Sequence, residues 1–470
     1  MHIDDLYCFT VRNKTFAYDI RTTACAGIDN VALSVLPALI RASDQKAVAE
    51  QLASTYPEET LDAALNQCNS LFNSGVFGAI PPAYRHTPDR SLLGVALHVS
   101  HTCNLGCTYC YADKGTFGRQ SQLMTDATIK QSIDFVFEHS GRQPSVNIGF
   151  FGGEPLLNFP VIQEAVKYAQ EQARKRNQEV SFSLTSNGTL LTDEIMAFLA
   201  DARFSLIFSL DGPANIHDKM RKDRRGHATH GQILENLIRL RDTFNTDFMV
   251  RGTFTRNTPN FADQVLFLND MGFSSVSVEP AQLHPDDPLS ITSQTDIECV
   301  KQEYDRLGDL YLQRLKDDKP LHFYHFDKPL RDILEPSPQH TQCGAGKGFI
   351  AITPEGDVFP CFEAVVEPEN QIGHINSGFE KKNRERFARM HVGKRRGCTE
   401  CWIRYHCGGG CHAFNIRYND NLHKPYEPFC EFIKHRYMLS AWILSEAIEA
   451  GEDTLNRLKT HVGLLKPVQD

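Results

Sequence analysis

The chain has 470 residues, too many for one ordinary hydrophobic core, so two or three folded parts are expected. Hydrophobic residues make up 41% and charged residues 23%, as in a globular protein, and the net charge of −9 includes no block of lysines and arginines to grip nucleic acid. No apolar run is long enough to cross a bilayer, and residues 1–10 lack a basic leader followed by an apolar stretch, so no membrane partner and a cytoplasmic location are expected.

Residues 1–85 read as a small unit. Strands over 6–11 and 15–20 flank Arg12-Asn13-Lys14, and Phe16, Tyr18 and Ile20 alternate as in a half-buried strand. Helices follow from near Asn30, after Ser43, and from Glu58, the last with Leu61, Leu65, Cys68 and Leu71 on one face. A hairpin followed by three short helices is a winged-helix-like arrangement. Pro81-Pro82 and the polar run to Asp89 read as a linker.

Over 90–285 strands alternate with helices. Strands are predicted at 95–100, 146–151, 180–185, 205–210, 248–253 and 275–278, with amphipathic helices including 126–138, 161–174 and 232–242. Six repeats imply an α/β fold whose parallel sheet curls into a partial (β/α)6 barrel, with the chemistry at the carboxyl ends of the strands. Residues 286–342 read as a linker and bridging helix (297–315), and 343–435 as a cysteine-rich domain. The last part, 436–470, reads as a helix around 435–450 and a polar tail.

Fourteen cysteines in a reducing compartment point to metal or catalysis rather than disulfides. Cys8, Cys25, Cys68 and Cys299 stand alone and read as small buried hydrophobes. Cys103-Asn-Leu-Gly-Cys107-Thr-Tyr-Cys110 directly follows the first barrel strand. Three thiolates at that spacing wrap one cubane cluster from a tight loop, with Gly106 expected to relieve crowding, and leave one iron without a protein ligand. Zinc is the competing reading, but three cysteines at a strand end suit a closed tetrahedral site poorly.

This cysteine motif, with Tyr109 before its last member, resembles the radical S-adenosylmethionine (SAM) superfamily. The resemblance implies a 4Fe–4S cluster on Cys103, Cys107 and Cys110 whose open iron chelates SAM and whose electron releases a 5′-deoxyadenosyl radical. It further implies that Tyr109 packs near the adenine. Gly152-Gly153-Glu154-Pro155 looks like the family's turn for the methionine ammonium, and Ser186-Asn187 like its ribose-contacting position. Ser209-Leu-Asp211-Gly and Arg221 complete the implied SAM contacts. Each of these turns also fits ordinary strand-end chemistry.

Cys343-x12-Gly356-x4-Cys361 and Cys398-x2-Cys401-x5-Cys407-x3-Cys411-x18-Cys430 resemble the SPASM extension of peptide-modifying radical SAM enzymes. That resemblance implies two auxiliary 4Fe–4S clusters, one on Cys398, Cys401, Cys407 and Cys430, the other on Cys343, Cys361 and Cys411. A pair of zinc knuckles is the alternative. His406 and His412 read as neighbours of ligands rather than ligands. Where some relatives carry a further cysteine this chain has Phe349, so either an iron is open to a substrate thiolate, or Cys299 or a small molecule fills the place.

Cys110-Tyr-Ala-Asp-Lys-Gly-Thr-Phe-Gly118 is similar to thioether-forming maturases, and the overall layout to those of quinohemoprotein amine dehydrogenase small subunits. The resemblance implies thioether links from cysteine sulfur to Asp or Glu side-chain carbons of a precursor polypeptide. The polypeptide is bound partly through the amino-terminal unit, by strand addition, and an external electron donor is needed. A sulfatase-type maturase making formylglycine and a non-enzymatic iron–sulfur redox sensor remain the rival readings. No catalytic base is assigned; Asp113, Asp211 and Glu363 lie near motifs.

Overall fold

The computed structural model describes residues 2–42, 44–75, 77–79 and 91–466, so the linker expected over 81–89 lies outside the described residues. β1 (Leu6–Val11) and β2 (Lys14–Asp19) pair antiparallel, with Val11 opposite Lys14. Arg12 and Asn13 between them take positive φ, 47° and 68°, the primed turn whose twist suits a hairpin. A third strand, β3 (Cys25–Ile28), pairs with β2; nothing in the alternation of Cys25-Ala-Gly-Ile28 marks it as a strand.

Helices Ala32–Ala42, Gln45–Leu52 and Glu58–Asn73 follow, and Val35, Leu36, Val48, Leu61 and Leu65 form a small core with Ala17 and Ile28. Phe9, Phe16 and Tyr18 instead join the main core. There Tyr7 stacks on Trp402 at 4.6 Å, and Tyr18 meets Trp402 at 5.3 Å and Tyr437 at 5.5 Å. The amino-terminal sheet is thus seated against the cysteine-rich end of the chain.

Six parallel strands then run in sequential order: β4 (Gly94–Ser100), β5 (Ser145–Gly152), β6 (Glu179–Ser186), β7 (Ser205–Ser209), β8 (Phe248–Phe254) and β9 (Val276–Pro280). The helices between them start and stop on local signals. The Thr125 and Thr192 side chains cap two helix starts, and Asn177 and Asn245 end two others in the left-handed region.

The sheet continues beyond six strands. β10 (Phe349–Ile352) pairs parallel with β4, Phe349 opposite Gly94, and β11 (Asp357–Phe359), β12 (Gly373–His374) and β13 (Gly378–Phe379) extend it antiparallel to ten. The cysteine-rich region therefore covers the edge of β4, whose N–H and C=O groups would otherwise be unpaired. Strands of two to four residues carry too little periodicity to be read in advance.

A capping box of Ser293 and Asp296 opens the bridging helix Gln294–Lys316, which packs on helix Glu427–Glu449, as does Tyr324–Leu334. Helix Glu427–Glu449 runs unbroken through residue 435, where the sequence reading sets a boundary. The expected polar tail contains a further helix, Glu452–His461, hidden because it buries only Thr454 and Leu458; His461 Nε2 lies 3.1 Å from Asp327 Oδ1. No helix among the described residues is long and apolar enough to cross a membrane.

Candidate active site at the barrel mouth

The thiol trio sits in the loop after β4, and the chain around it is pinned from two sides. Gly106 N donates to Lys222 O (2.8 Å), Thr108 N to Met220 O (2.9 Å) and Arg224 Nε to Cys103 O (2.6 Å). From the end of β6, Asn187 Nδ2 donates to Asn104 Oδ1 at 2.9 Å and reaches Cys103 Sγ at 3.7 Å. Burial pushes the Cys103 thiol up to about 12, and Glu154, Cys107 and Cys110 push it the same way; the three cysteines line one cavity.

The crowding expected at Gly106 is absent: a Cβ there would meet only Asp223 O, at 3.8 Å. The crowded position is Gly115, which the sequence reading does not single out. Its φ is +96°, and a Cβ would lie 2.8 Å from both Cys103 Cβ and Gly153 Cα. Gly152 and Gly153 are equally constrained, since their Cβ atoms would come within 2.2 Å of Ser100 O and 2.3 Å of Thr102 O. Bare backbone lets the end of β5 press on the cysteine loop, with Gly153 N donating to Ser100 O (2.8 Å) and Glu154 N to Thr102 O (2.9 Å).

Glu154 is wholly buried behind this backbone. Its Oε1 accepts from Leu156 N (3.0 Å) and Ser186 Oγ (2.9 Å), and its Oε2 from Asn187 N (2.8 Å), so it ties the ends of β5 and β6 together. Burial raises its pKa while these three donors oppose the rise.

Tyr109, Asp211 and Arg221, each read separately from the sequence, form one buried cluster. Tyr109 OH donates to Asp211 Oδ2 (2.6 Å) and accepts from Arg221 Nη1 (3.0 Å), while Thr253 N donates to Asp211 Oδ1 (3.0 Å). Burial lifts the Asp211 carboxyl to about 6, against the pull of Arg221. His217 fixes the backbone beneath: its Nδ1 accepts from Asp211 N at 3.2 Å.

One cavity at the carboxyl ends of the strands is lined by Cys103, Cys107, Cys110, Tyr109, Gly152, Gly153, Ser186, Asn187, Ser209 and Arg221. Glu154 and Asp211 stand behind its wall. Arg251, Thr253, Glu279, Gln282 and Glu363 also line it. Of the carboxylates considered as bases, Asp113 is exposed and bonds Thr116 Oγ1 at 2.7 Å, Asp211 is engaged as described, and Glu363 faces the cavity beside Arg417 (3.5 Å).

Seven further thiols fall into two groups. Cys361 is raised by burial and then by Cys411 and Cys343; Cys430 is raised to about 12 by burial and then by Cys407, Cys398 and Cys401. Cys407 and Cys411, on either side of the Gly408–Gly410 turn, belong to different groups. His412 Nδ1 lies 3.7 Å from Cys343 Sγ, and His406 Nδ1 pairs with Asp332 at 3.2 Å.

Between the groups lies Arg395, 1% exposed, and among the described residues none of its three guanidinium nitrogens has a hydrogen-bond partner. Burial lowers its pKa, opposed by Cys398, Cys411, Cys343 and Cys407. An unpaired buried guanidinium is strongly unfavourable, so this position calls for negative charge on both sides. Thiolate-ligated iron–sulfur clusters are net anions, and the donor set fits them.

Residues 97–258 match the family model of the radical SAM superfamily. This stretch, which carries the thiol trio and the ends of β4 to β8, is a radical SAM domain, and the α/β fold with its mixed sheet is the radical SAM fold. The chain is 24% identical over 369 residues to a cysteine-type anaerobic sulfatase-maturating enzyme of Clostridium novyi (strain NT), covering 73% of this chain and 94% of that one. Its fold is similar to that of anSMEcpe with bound AdoMet and the Cp18Cys peptide (TM-score 0.59, 21% identity, 73% of this chain and 96% of that one). It is also similar to that of Streptococcus suis SuiB bound to precursor peptide SuiA (TM-score 0.50, 13% identity, 90% and 97%).

Proposed function

We propose that this chain is a radical SAM enzyme that modifies a ribosomally made polypeptide, joining cysteine sulfur to an aspartate or glutamate side-chain carbon within it. The observation that carries the reading is the single cavity in which the thiol trio faces the bare Gly152–Gly153 backbone and the polar ends of β6 and β7. In it Cys103, Cys107 and Cys110 hold a 4Fe–4S cluster with one open iron. Bound there, the cluster and SAM supply a 5′-deoxyadenosyl radical.

The residues around the cavity orient SAM. The Gly152–Gly153 backbone, with the Glu154 charge behind it, receives the ammonium, and Ser186 and Asn187 the ribose. Tyr109 packs by the adenine, held by Asp211 and Arg221, and Ser209 closes the wall. Cys398, Cys401, Cys407 and Cys430 hold one auxiliary cluster; Cys343, Cys361 and Cys411 hold another.

The sulfur–carbon product is supported by the three-thiol composition of that last group. Phe349 stands where a fourth thiol would be and is locked in β10, while Cys299 is exposed on the bridging helix. The amino-terminal unit serves as a recognition element for the polypeptide, an external donor supplies electrons, and the cytoplasm is the location.

Formylglycine formation is the second reading, favoured by the sulfatase-maturating relative. Co-expression with a candidate cysteine-containing polypeptide, followed by tandem mass spectrometry, separates the two. A thioether lowers the peptide mass by about two hydrogens and blocks the cysteine to alkylation, whereas formylglycine reacts with hydrazides. An unmodified polypeptide, with no 5′-deoxyadenosine released on reduction with SAM, returns the chain to a redox-sensor role.

A further inference from the structure

Resting on the radical reading above but on neither of its two products, we infer that Glu279 is the carboxylate that accepts the substrate's proton as the product forms, with His325 positioning it. Glu279 ends β9, lines the radical cavity and keeps its side chain 28% exposed. Its Oε1 accepts from Ser277 Oγ (2.6 Å) and from His325 Nε2 (2.9 Å); among the described residues nothing donates to Oε2. His325 is itself fixed, with Nδ1 2.8 Å from Tyr304 OH, so Nδ1 accepts and Nε2 carries the proton.

The charge state suits the role. Burial alone would raise the Glu279 carboxyl, but the hydrogen bonds from His325 and Ser277, with the Arg251 charge nearby, hold it below its usual range. Burial lowers His325, which leaves a neutral imidazole donating to an ionised carboxylate near neutral pH. The other charged or titratable groups around the pair are Arg436, Tyr304 and Tyr324, with Glu363 on the same cavity. Glu363 is already engaged: Arg417 lies at 3.5 Å, and the Gln282 amide, oriented by its hydrogen bonds, donates to both its oxygens at 3.2 and 2.7 Å.

Position supplies the second argument. Glu279 also lines a neighbouring pocket with Tyr304, Arg436, Cys407 and Cys411, so it stands in the wall between the radical cavity and the later thiol groups. After hydrogen abstraction from the substrate carbon, either product requires the loss of one proton and one electron. In thioether formation the C–S bond forms as the S–H bond breaks. The proton passes to Glu279 Oε2 and the electron to a one-electron acceptor of the iron–sulfur class. In formylglycine formation the S–H or O–H of the radical-bearing residue loses the same pair, which gives the aldehyde directly from serine and a thioaldehyde from cysteine. Water then hydrolyses the thioaldehyde with release of hydrogen sulfide. Kept on the product, that proton would leave a sulfur or oxygen cation, a far stronger acid than a carboxylic acid. A carboxylate held ionised is therefore a sufficient acceptor.

The test uses reconstituted holoenzyme and its polypeptide substrate. Glu279→Gln is expected to release 5′-deoxyadenosine still, but to form product at least about 100-fold more slowly. An organic radical then builds up in its electron-resonance spectrum. Glu279→Asp restores part of the rate, and His325→Phe, by removing a donor to the carboxylate, moves the acid limb of the pH profile to higher pH. A Glu279→Gln enzyme forming product at the wild-type rate, or one that releases no 5′-deoxyadenosine, overturns the inference. Wild-type enzyme that releases none overturns instead the radical reading beneath it.

Discussion

Arg395→Leu is expected to stabilise the cluster-free chain and to strip iron from the loaded one. In the cluster-free chain the guanidinium is buried with no hydrogen-bond partner among the described residues, so an apolar side chain there gains about 1–4 kcal/mol. With clusters on the later thiols, as proposed, the same guanidinium is the cation between two anionic groups. Its loss leaves buried negative charge unbalanced, a penalty of about 3–5 kcal/mol. Thermal unfolding of the cluster-free variant and iron content of the reconstituted one read the two effects separately. Opposite signs confirm that the later thiols hold charged clusters. A variant that unfolds earlier in both states shows that Arg395 is a packing residue.

Gly115→Val is expected to remove iron from the first site and spare the auxiliary ones. The new Cβ must adopt a φ of +96° and lie 2.8 Å from both Cys103 Cβ and Gly153 Cα, backbone and side chain that cannot yield without moving the first ligand. Strain at such a φ adds about 1–3 kcal/mol before any clash is counted. Iron analysis should show loss of the first of the three proposed clusters' share, with 5′-deoxyadenosine release reduced to background. Retention of full iron and full release means the loop has room that the geometry denies.

What the sequence revealed follows from the range over which each signal acts. The six barrel strands are legible because a buried parallel strand writes a local apolar run, as in 146–151 for β5 (Ser145–Gly152). β10 to β13 are not, since two to four residues hold no period and their pairing with β4 is a tertiary event. The spacing of Cys103, Cys107 and Cys110 is legible because one loop carries all three thiols. Gly115 looked ordinary because its partners, Cys103 and Gly153, are 12 and 38 residues away. Arg395 and Glu279 escaped for the same reason: one is defined by thiols from two stretches of chain, the other by a histidine 46 residues on. The motif around Glu154 brings Gly152 and Gly153 to the cavity, while the Glu154 side chain bonds Leu156, Ser186 and Asn187.

The account stands on an iron with a free coordination position at the Cys103, Cys107 and Cys110 site. Electron resonance of anaerobically reconstituted, dithionite-reduced protein, recorded before and after adding SAM, tests it most directly. A changed spectrum accompanied by 5′-deoxyadenosine, both lost in the Cys103→Ala, Cys107→Ala, Cys110→Ala variant, is the predicted result. An unchanged spectrum, or full release by that triple variant, would contradict it.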